Sequence, residues 1–317
     1  KSKKSTSIGI IIPSIANPFY PSIVRGIEDE IVSRNYHMSI SSCDRDKERI
    51  NYSIENMLAV NVQGIISIYI DEIPEAMFRL VKRGGVALNV VSNGICIPDM
   101  HTIMVDKVEE CELAVQHLLD LGHRDVAFIT PPLTRRQWQR SKRVDGFVRE
   151  FEKAGLSGHV IIRAADESVD RRNPKTDSEY SMGYALTRSL LEDGSRFTAI
   201  AGQNDMMAIG AVDALQDARL RVPKDVSVIG CDNIFYSGIR RVSLTTIDHF
   251  VDLKGRDACD IIIRKIDTGI RFGEGIRPTS VYNIEYNPKI IVRKTTGYAR
   301  MDKPDPINEK SEENKFK

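Results

Sequence analysis

Apolar and polar positions alternate between two periods almost throughout the chain. Ile8 to Ile12 is a continuous apolar run, the pattern of a strand buried on both faces. Beyond Pro21 the apolar residues Ile23, Val24, Ile27 and Ile31 fall at helical spacing, with Arg25, Glu28 and Glu30 between them. His37 to Cys43 reads as a strand, Ile50 to Val60 as a helix and Ile65 to Ile70 as a strand. The helix Glu75 to Lys82 runs into Gly84-Gly85, glycines suited to the left-handed turn after a helix, and Ala87 to Val91 is the next strand.

The same grammar repeats further on. Val108, Cys111, Val115, Leu118 and Leu119 line one face of a helix that stops at Gly122. Strand Val126 to Thr130 follows, then a basic loop, then a helix from about Val144 to Ala154. The helices Tyr184 to Leu191 and Met206 to Gln216 separate the strands Val160 to Arg163, Ala199 to Ala201 and Val226 to Ile229. Strands alternating with helices of this length imply parallel sheets covered by helices on both faces. So many βα units exceed one comfortable sheet, so the expected class is α/β with two doubly wound, Rossmann-like domains. Met301 to Lys317 is charged, carries two prolines and lacks periodicity, which reads as a flexible tail.

Composition narrows the function. The 317 residues are 41% hydrophobic and 28% charged, the balance of an ordinary globular chain rather than a disordered or fibrous one. Lys plus Arg number 45 against 44 Asp plus Glu, so charge alone does not mark a nucleic-acid-binding domain. No apolar run approaches the roughly 18 residues of a membrane span, and the opening KSKKSTS has no apolar signal-peptide core. Five scattered cysteines (Cys43, Cys96, Cys111, Cys231, Cys259) without CxxC spacing argue against a disulfide framework or a zinc site. They read as small buried hydrophobes in a reducing, cytoplasmic setting. The histidines form no HExxH pair, and no dinucleotide, Walker or nucleophile-elbow glycine motif follows a strand. No cofactor, no metal and no enzyme is expected.

Open α/β sheets bind ligands at the carboxyl ends of their strands. The first such junction reads Pro13-Ser14-Ile15-Ala16-Asn17-Pro18-Phe19-Tyr20-Pro21. Phe19 and Tyr20 can stack on a ring and Asn17 can hydrogen-bond its edge; alternatively Phe19 only staples the helix start. From here on the chain resembles the effector-binding domain of the lac-repressor/galactose-repressor family. IGIIIPSIANPFYPSIVRGIEDE carries the likeness first. VQGIIS, AVQHLLDLGHRDVAFI, RVDGFVREFEKAGL, AIAGQNDMMAIGAVDAL, LRVPKDVSVIGCDN, LTTID and IIVRKTT follow in order.

The resemblance implies a periplasmic-binding-protein-like fold whose two subdomains are joined by three crossovers. Their expected extents are 7–107 plus 249–287 and 108–248 plus 288–300, with 301–317 as tail. It also implies a homodimer, a small polar effector held in the cleft, and operator DNA gripped by an N-terminal headpiece that is absent from this sequence. The effector expected is a sugar or sugar derivative. Phe19, Tyr20, Arg143, Asn204 and Asp232 match ligand positions of the family. Asp106 sits at the first crossover, where it contacts the ligand or only fixes the crossover, and Asp205 is expected to cap a helix.

The chain also departs from its family. Val91-Ser92-Asn93 stands where sugar-binding relatives often have an aspartate-arginine pair. The loop PPLTRRQWQRSKR is longer than expected and brings Arg135, Arg136, Arg140, Lys142 and the single tryptophan, Trp138. Trp138 stacks on the effector or closes a lid or dimer contact. The basic residues suit an anionic ring compound, or else form a solvated loop with only Arg143 turned inward. Ala165 to Ser181 is a further long segment. A solute-binding protein of a transporter would share the fold. The reading frame upstream of Lys1 separates that alternative from a regulator, here expected to be a repressor. A dimer contact through the first helix and Asp71 to Val81 is also expected, with Ile73, Met77, Phe78 and Val81 near one stripe.

Overall fold

The computed structural model describes residues 6–44, 46–68, 75–82, 86–92, 100–105, 107–133, 138–166, 179–267 and 281–300. Within it the chain divides into two compact units, Lys1–Lys107 with Asp248–Pro288, and Val108–Ile247 with Lys289–Lys317. The chain therefore passes from one unit to the other three times.

In the first unit the sheet strands are β1 (Ser7–Ile12), β2 (His37–Ser42), β3 (Gly64–Ile68), β4 (Val86–Ser92), β5 (His101–Val105) and β11 (Asn283–Tyr286). Their spatial order is β11-β5-β4-β3-β1-β2, and every neighbouring pair is parallel, as in Ile8 opposite both Met38 and Gly64. The helices are α1 (Phe19–Ser33), α2 (Lys47–Ala59), α3 (Glu75–Lys82) and α8 (Val251–Asp267). Burial of Ile50, Ile54, Met57 and Leu58 with Ala76, Met77 and Leu80 joins α2 and α3 to the sheet residues Ile11, Ile65 and Ala87. Met77 is thus core of its own unit rather than part of an exposed stripe, and Phe78 is half-exposed. Ile73 and the side chain of Val81 lie outside the described residues.

The second unit repeats the architecture with β6 (Val126–Thr130), β7 (Val160–Ala164), β8 (Ala199–Gly202), β9 (Ser227–Asp232), β10 (Thr245–Asp248) and β12 (Lys289–Ile291). The order is β12-β10-β9-β8-β6-β7. Its helices are α4 (Lys107–Asp120), α5 (Trp138–Lys153), α6 (Glu179–Glu192) and α7 (Asp205–Asp217). One face of the sheet packs α4 and α5 through Val115, Leu118, Val144, Phe147 and Phe151 against Phe128 and Ile229. The other packs α6 and α7 through Leu190, Met207, Ala211 and Leu215 against Ile129, Ile200 and Val228. Two glycines set that second spacing. A Cβ on Gly183 would come within 2.1 Å of the Met207 carbonyl oxygen, and one on Gly210 within 2.1 Å of that of Tyr180.

Helix α5 starts at Trp138, six residues before the position that the apolar spacing indicates. Residues 138–143 carry almost no apolar periodicity, yet Gln, Arg and Lys are good helix formers. Part of the basic loop is therefore the first turns of a helix. Four of the cysteines, Cys43, Cys111, Cys231 and Cys259, are buried free thiols; Cys96 lies outside the described residues. Among the described residues no helix is long and apolar enough to cross a membrane.

Candidate functional site

In both sheets the first and third strands in chain order lie side by side, so the crossovers leave in opposite directions at that point. The crevice beyond the strand ends there is where open α/β sheets bind ligands. In the first unit this junction holds Asn17, Phe19 and Tyr20. Asn17 turns its Oδ1 to the Phe19 N–H at 2.9 Å, a local bond that starts α1. Phe19 and Tyr20 are buried and meet edge to face at 5.3 Å, and Phe19 meets the His249 ring at 6.2 Å. A packing role for the aromatic pair is thus visible in the structure. Asp106 and Asn93 lie outside the described residues, as does the side chain of Trp138, of which only the helical backbone is described.

The second unit brings three of the predicted residues to the strand ends of one sheet. Arg143 projects from α5 and is 11% exposed; its Nε and Nη2 donate to Oε2 of Glu110 at 3.1 and 2.8 Å. Nη1 donates to the Gln203 carbonyl oxygen at 2.7 Å, and the Gln203 side chain accepts from Thr130 at the end of β6. Asn204 caps α7: its Oδ1 accepts from the Met207 N–H at 3.0 Å, while its Nδ2 donates to Glu179 at 2.7 Å. Glu179 in turn lies 3.9 Å from Arg140.

Asp232 ends β9 in an unusual backbone conformation, with φ 125°, and Asn233 follows at φ 52°. Two consecutive non-glycine residues at positive φ cost of order 1–3 kcal/mol each. Such strain collects where a protein must aim a side chain. The Asp232 carboxyl is pushed well above the usual carboxylate range, first by burial and then by Asp205, Glu179 and Glu110, against a pull downward from Arg143.

Asp205 corrects the expectation of a cap. Asn204 fills that role, and Asp205 is fully buried one residue on. Its carboxylate accepts from the Ile234 N–H at 3.0 Å and from the hydroxyls of Ser237 and Thr246. Burial raises it to about 6 despite those donors. It thereby ties the start of α7 to the turn after β9 and to β10.

Beneath the Arg143–Glu110 pair is a small cavity lined by Cys111, Phe128, Phe147, Ile229 and Cys231. Cys111 points its thiol to the Arg143 carbonyl at 3.4 Å. The side chains that sequence reasoning missed are Glu110, Glu179 and Gln203. Glu110 is 2% exposed, although it follows another glutamate on what reads as the solvated side of a helix. Only its spacing of one residue before Cys111 places it beside the apolar stripe.

A family model of the periplasmic binding protein-like domain matches residues 115–296. Catabolite control protein A of Priestia megaterium is 31% identical over 246 residues, which are 78% of this chain and 70% of that protein. The chain belongs to the lac-repressor/galactose-repressor family of transcription regulators. Solved structures agree on the fold of this family domain. A LacI family transcriptional regulator from Enterococcus faecium with bound ribose superposes with a TM-score of 0.76 at 22% identity, covering 93% of this chain and 100% of that one. The lac repressor dimer bound to operator and the anti-inducer ONPF gives 0.75 at 24% identity, covering 93% and 96%.

Proposed function

We propose that this chain is the sensing and dimerisation part of a cytoplasmic repressor. It takes a small polar ring compound of the sugar type as effector and passes its binding state to operator DNA held by a headpiece. The observation that carries the reading is the convergence of Arg143, Asn204 and Asp232 on the strand ends of the second unit. A guanidinium, an amide and a carboxylate set close together match the donors and acceptors of a polyhydroxylated ring. The bound ribose of the Enterococcus faecium regulator and the operator and dimer of the lac repressor support the sugar, DNA and homodimer parts. Asn17, Phe19, Tyr20, Asp106 and Trp138 are proposed as further ligand positions. The subdomain extents 7–107 plus 249–287 and 108–248 plus 288–300 are proposed with them. The chemistry we propose is binding rather than catalysis, in keeping with the repressor relatives.

A thermal-shift screen of pentoses, hexoses, their phosphates and nucleobases tests this. A ligand at 100 times its dissociation constant stabilises by about 2.7 kcal/mol. The expected result is at least one stabilising ring compound that also changes operator affinity of the full-length protein, typically by about 5- to 150-fold. No shift from any compound class, or a ligand without effect on DNA binding, removes the reading. Light scattering that gives a monomer mass at micromolar concentration removes the dimer.

A further inference from the structure

We propose that Glu110 sets the charge class of the effector: by holding and neutralising Arg143 it makes the second unit a receptor for neutral or positively charged polar rings and a poor one for anions. This rests on the site proposed above and names what that site selects.

An arginine recognises a carboxylate or phosphate best when two parallel N–H groups meet two oxygens. On Arg143 the Nε–Nη2 edge is already given to Glu110, and Nη1 donates to the Gln203 carbonyl. The pair is not a surface accident, because the Glu110 side chain is 1% exposed and that of Arg143 11%. A buried ion pair of this kind is held by each partner's need for the other, so an incoming anion would have to displace Glu110 into a place with no solvent. The surrounding charges work the same way. On Asp232, Arg143 pulls downward while Glu110, Glu179 and Asp205 push upward. Two further cations nearby are engaged as well: Arg140 faces Glu179, and Arg293 donates to Asn233 and to the Leu244 carbonyl. A ring bearing hydroxyls or an amine adds donors to this acidic surround; a phosphate or carboxylate adds a like charge.

A pair that served packing only would leave anion binding unmoved by its removal, so inorganic phosphate is the probe. Thermal melts in phosphate are compared with melts in chloride at equal ionic strength for the wild type, Glu110→Gln, Arg143→Met and the double variant. The signal counted is the part that disappears with Arg143. The wild type is expected to show none. Glu110→Gln is expected to gain a phosphate-dependent rise in Tm, with apparent affinity about tenfold or more above wild type, and the double variant to lose it. An Arg143-dependent phosphate shift in the wild type overturns the proposal, and so does a folded Glu110→Gln that gains nothing. Should Glu110→Gln fail to fold, the wild type against Arg143→Met decides alone. Absence of an Arg143-dependent shift supports the proposal and its presence ends it. Because phosphate needs no knowledge of the effector, a failed effector screen would sink the sugar-sensing reading without touching this result.

Discussion

The two units share one strand order and use it differently. Read in chain order, each sheet runs sixth, fifth, fourth, third, first, second, with the last strand supplied by the returning segment. Each also brings a helix pair together over glycines, Gly26 and Gly255 in the first unit and Gly183 and Gly210 in the second. The strand ends diverge. In the first unit the described junction is filled by rings, Phe19 against Tyr20 and His249. In the second it is a mesh of charge: Glu110 on Arg143, Arg143 on Gln203, and Asn204 on Glu179. The same scaffold therefore offers an apolar wall at one switch point and a hydrogen-bonding one at the other. The fold fixes where a ligand can be met, while a few side chains at the strand ends decide what kind of ligand it is.

The largest test of that contrast is Arg143→Ala. It leaves the Glu110 carboxylate buried without its cation, an arrangement that costs about 3–5 kcal/mol. Urea denaturation is expected to show that loss, together with loss of effector binding. The uncharged double variant Glu110→Gln/Arg143→Met is expected to recover most of the stability and none of the binding. If Arg143→Ala keeps wild-type stability, the charged mesh is not what holds this end of the second unit.

Acid should separate the units next. In the first unit His101 is buried, accepts from the Tyr282 N–H at 3.0 Å, and is lowered to about 4 by burial and then by Lys265. Its folded value lies below the unfolded 6.5, so the unfolded chain binds the proton more readily. The stability this group gives is present above pH 6.5 and is lost as pH falls toward 4, by about 3 kcal/mol. The second unit has opposing groups. His123, bonded to Thr198, Ser227 and the Gly297 carbonyl, is lowered by burial in the same sense, and so is His117. Asp205 is raised to about 6, so its folded form takes up a proton between pH 6 and the unfolded 3.8 and gains stability as pH falls through that window. Hydrogen exchange resolved by segment, at pH 7 and pH 5, is expected to show β5 and β11 loosening more than β8 and β9. Equal loosening would mean that Asp205 gives no such compensation.

The helix contacts are where the units should behave alike. A Cβ on Gly183 would fall 2.1 Å from a backbone oxygen of α7, and one on Gly26 would fall 2.3 Å from the Asp252 oxygen of α8. Backbone cannot step aside as a side chain tip can, so Gly→Ala at either place is expected to cost about 1–3 kcal/mol, read as a drop in the urea midpoint. A substantial cost at one glycine and none at the other would show that the shared topology does not carry shared packing.

Much of this was open to reading along the chain, and the failures have physical reasons. Ile8–Ile12 and Val126–Thr130 are apolar without interruption because both sheet faces are covered, which makes them easy to find. The start of α5 was hidden because residues 138–143 are polar on every side, so helix propensity acts there without apolar periodicity. Arg143, Asn204 and Asp232 could be named from motif likeness. Glu110 could not, because its partner lies 33 residues away and a second glutamate beside it looks like ordinary surface charge. Asp205 reads as a cap because both residue types cap helices, and one position of register separates the cap Asn204 from the buried carboxylate.

That register supplies the smallest and most selective test. Asn204 has two contacts of different kinds: Oδ1 accepts from the Met207 N–H and so caps α7, and Nδ2 donates to Glu179. Asn204→Ala removes both and is expected to cost about 1 kcal/mol, the usual worth of a cap. Asn204→Ser keeps an acceptor for the N–H without adding charge beside Glu179 and Asp232, so its stability is expected within a few tenths of a kcal/mol of wild type. Its hydroxyl, one atom shorter, does not reach to where the amide Nδ2 donates. If Asn204 takes part in effector recognition, the serine variant melts like the wild type and binds the effector distinctly more weakly, as calorimetry would show. Full affinity in Asn204→Ser would reduce Asn204 to a helix cap and leave Arg143 and Asp232 as the recognition pair of the second unit.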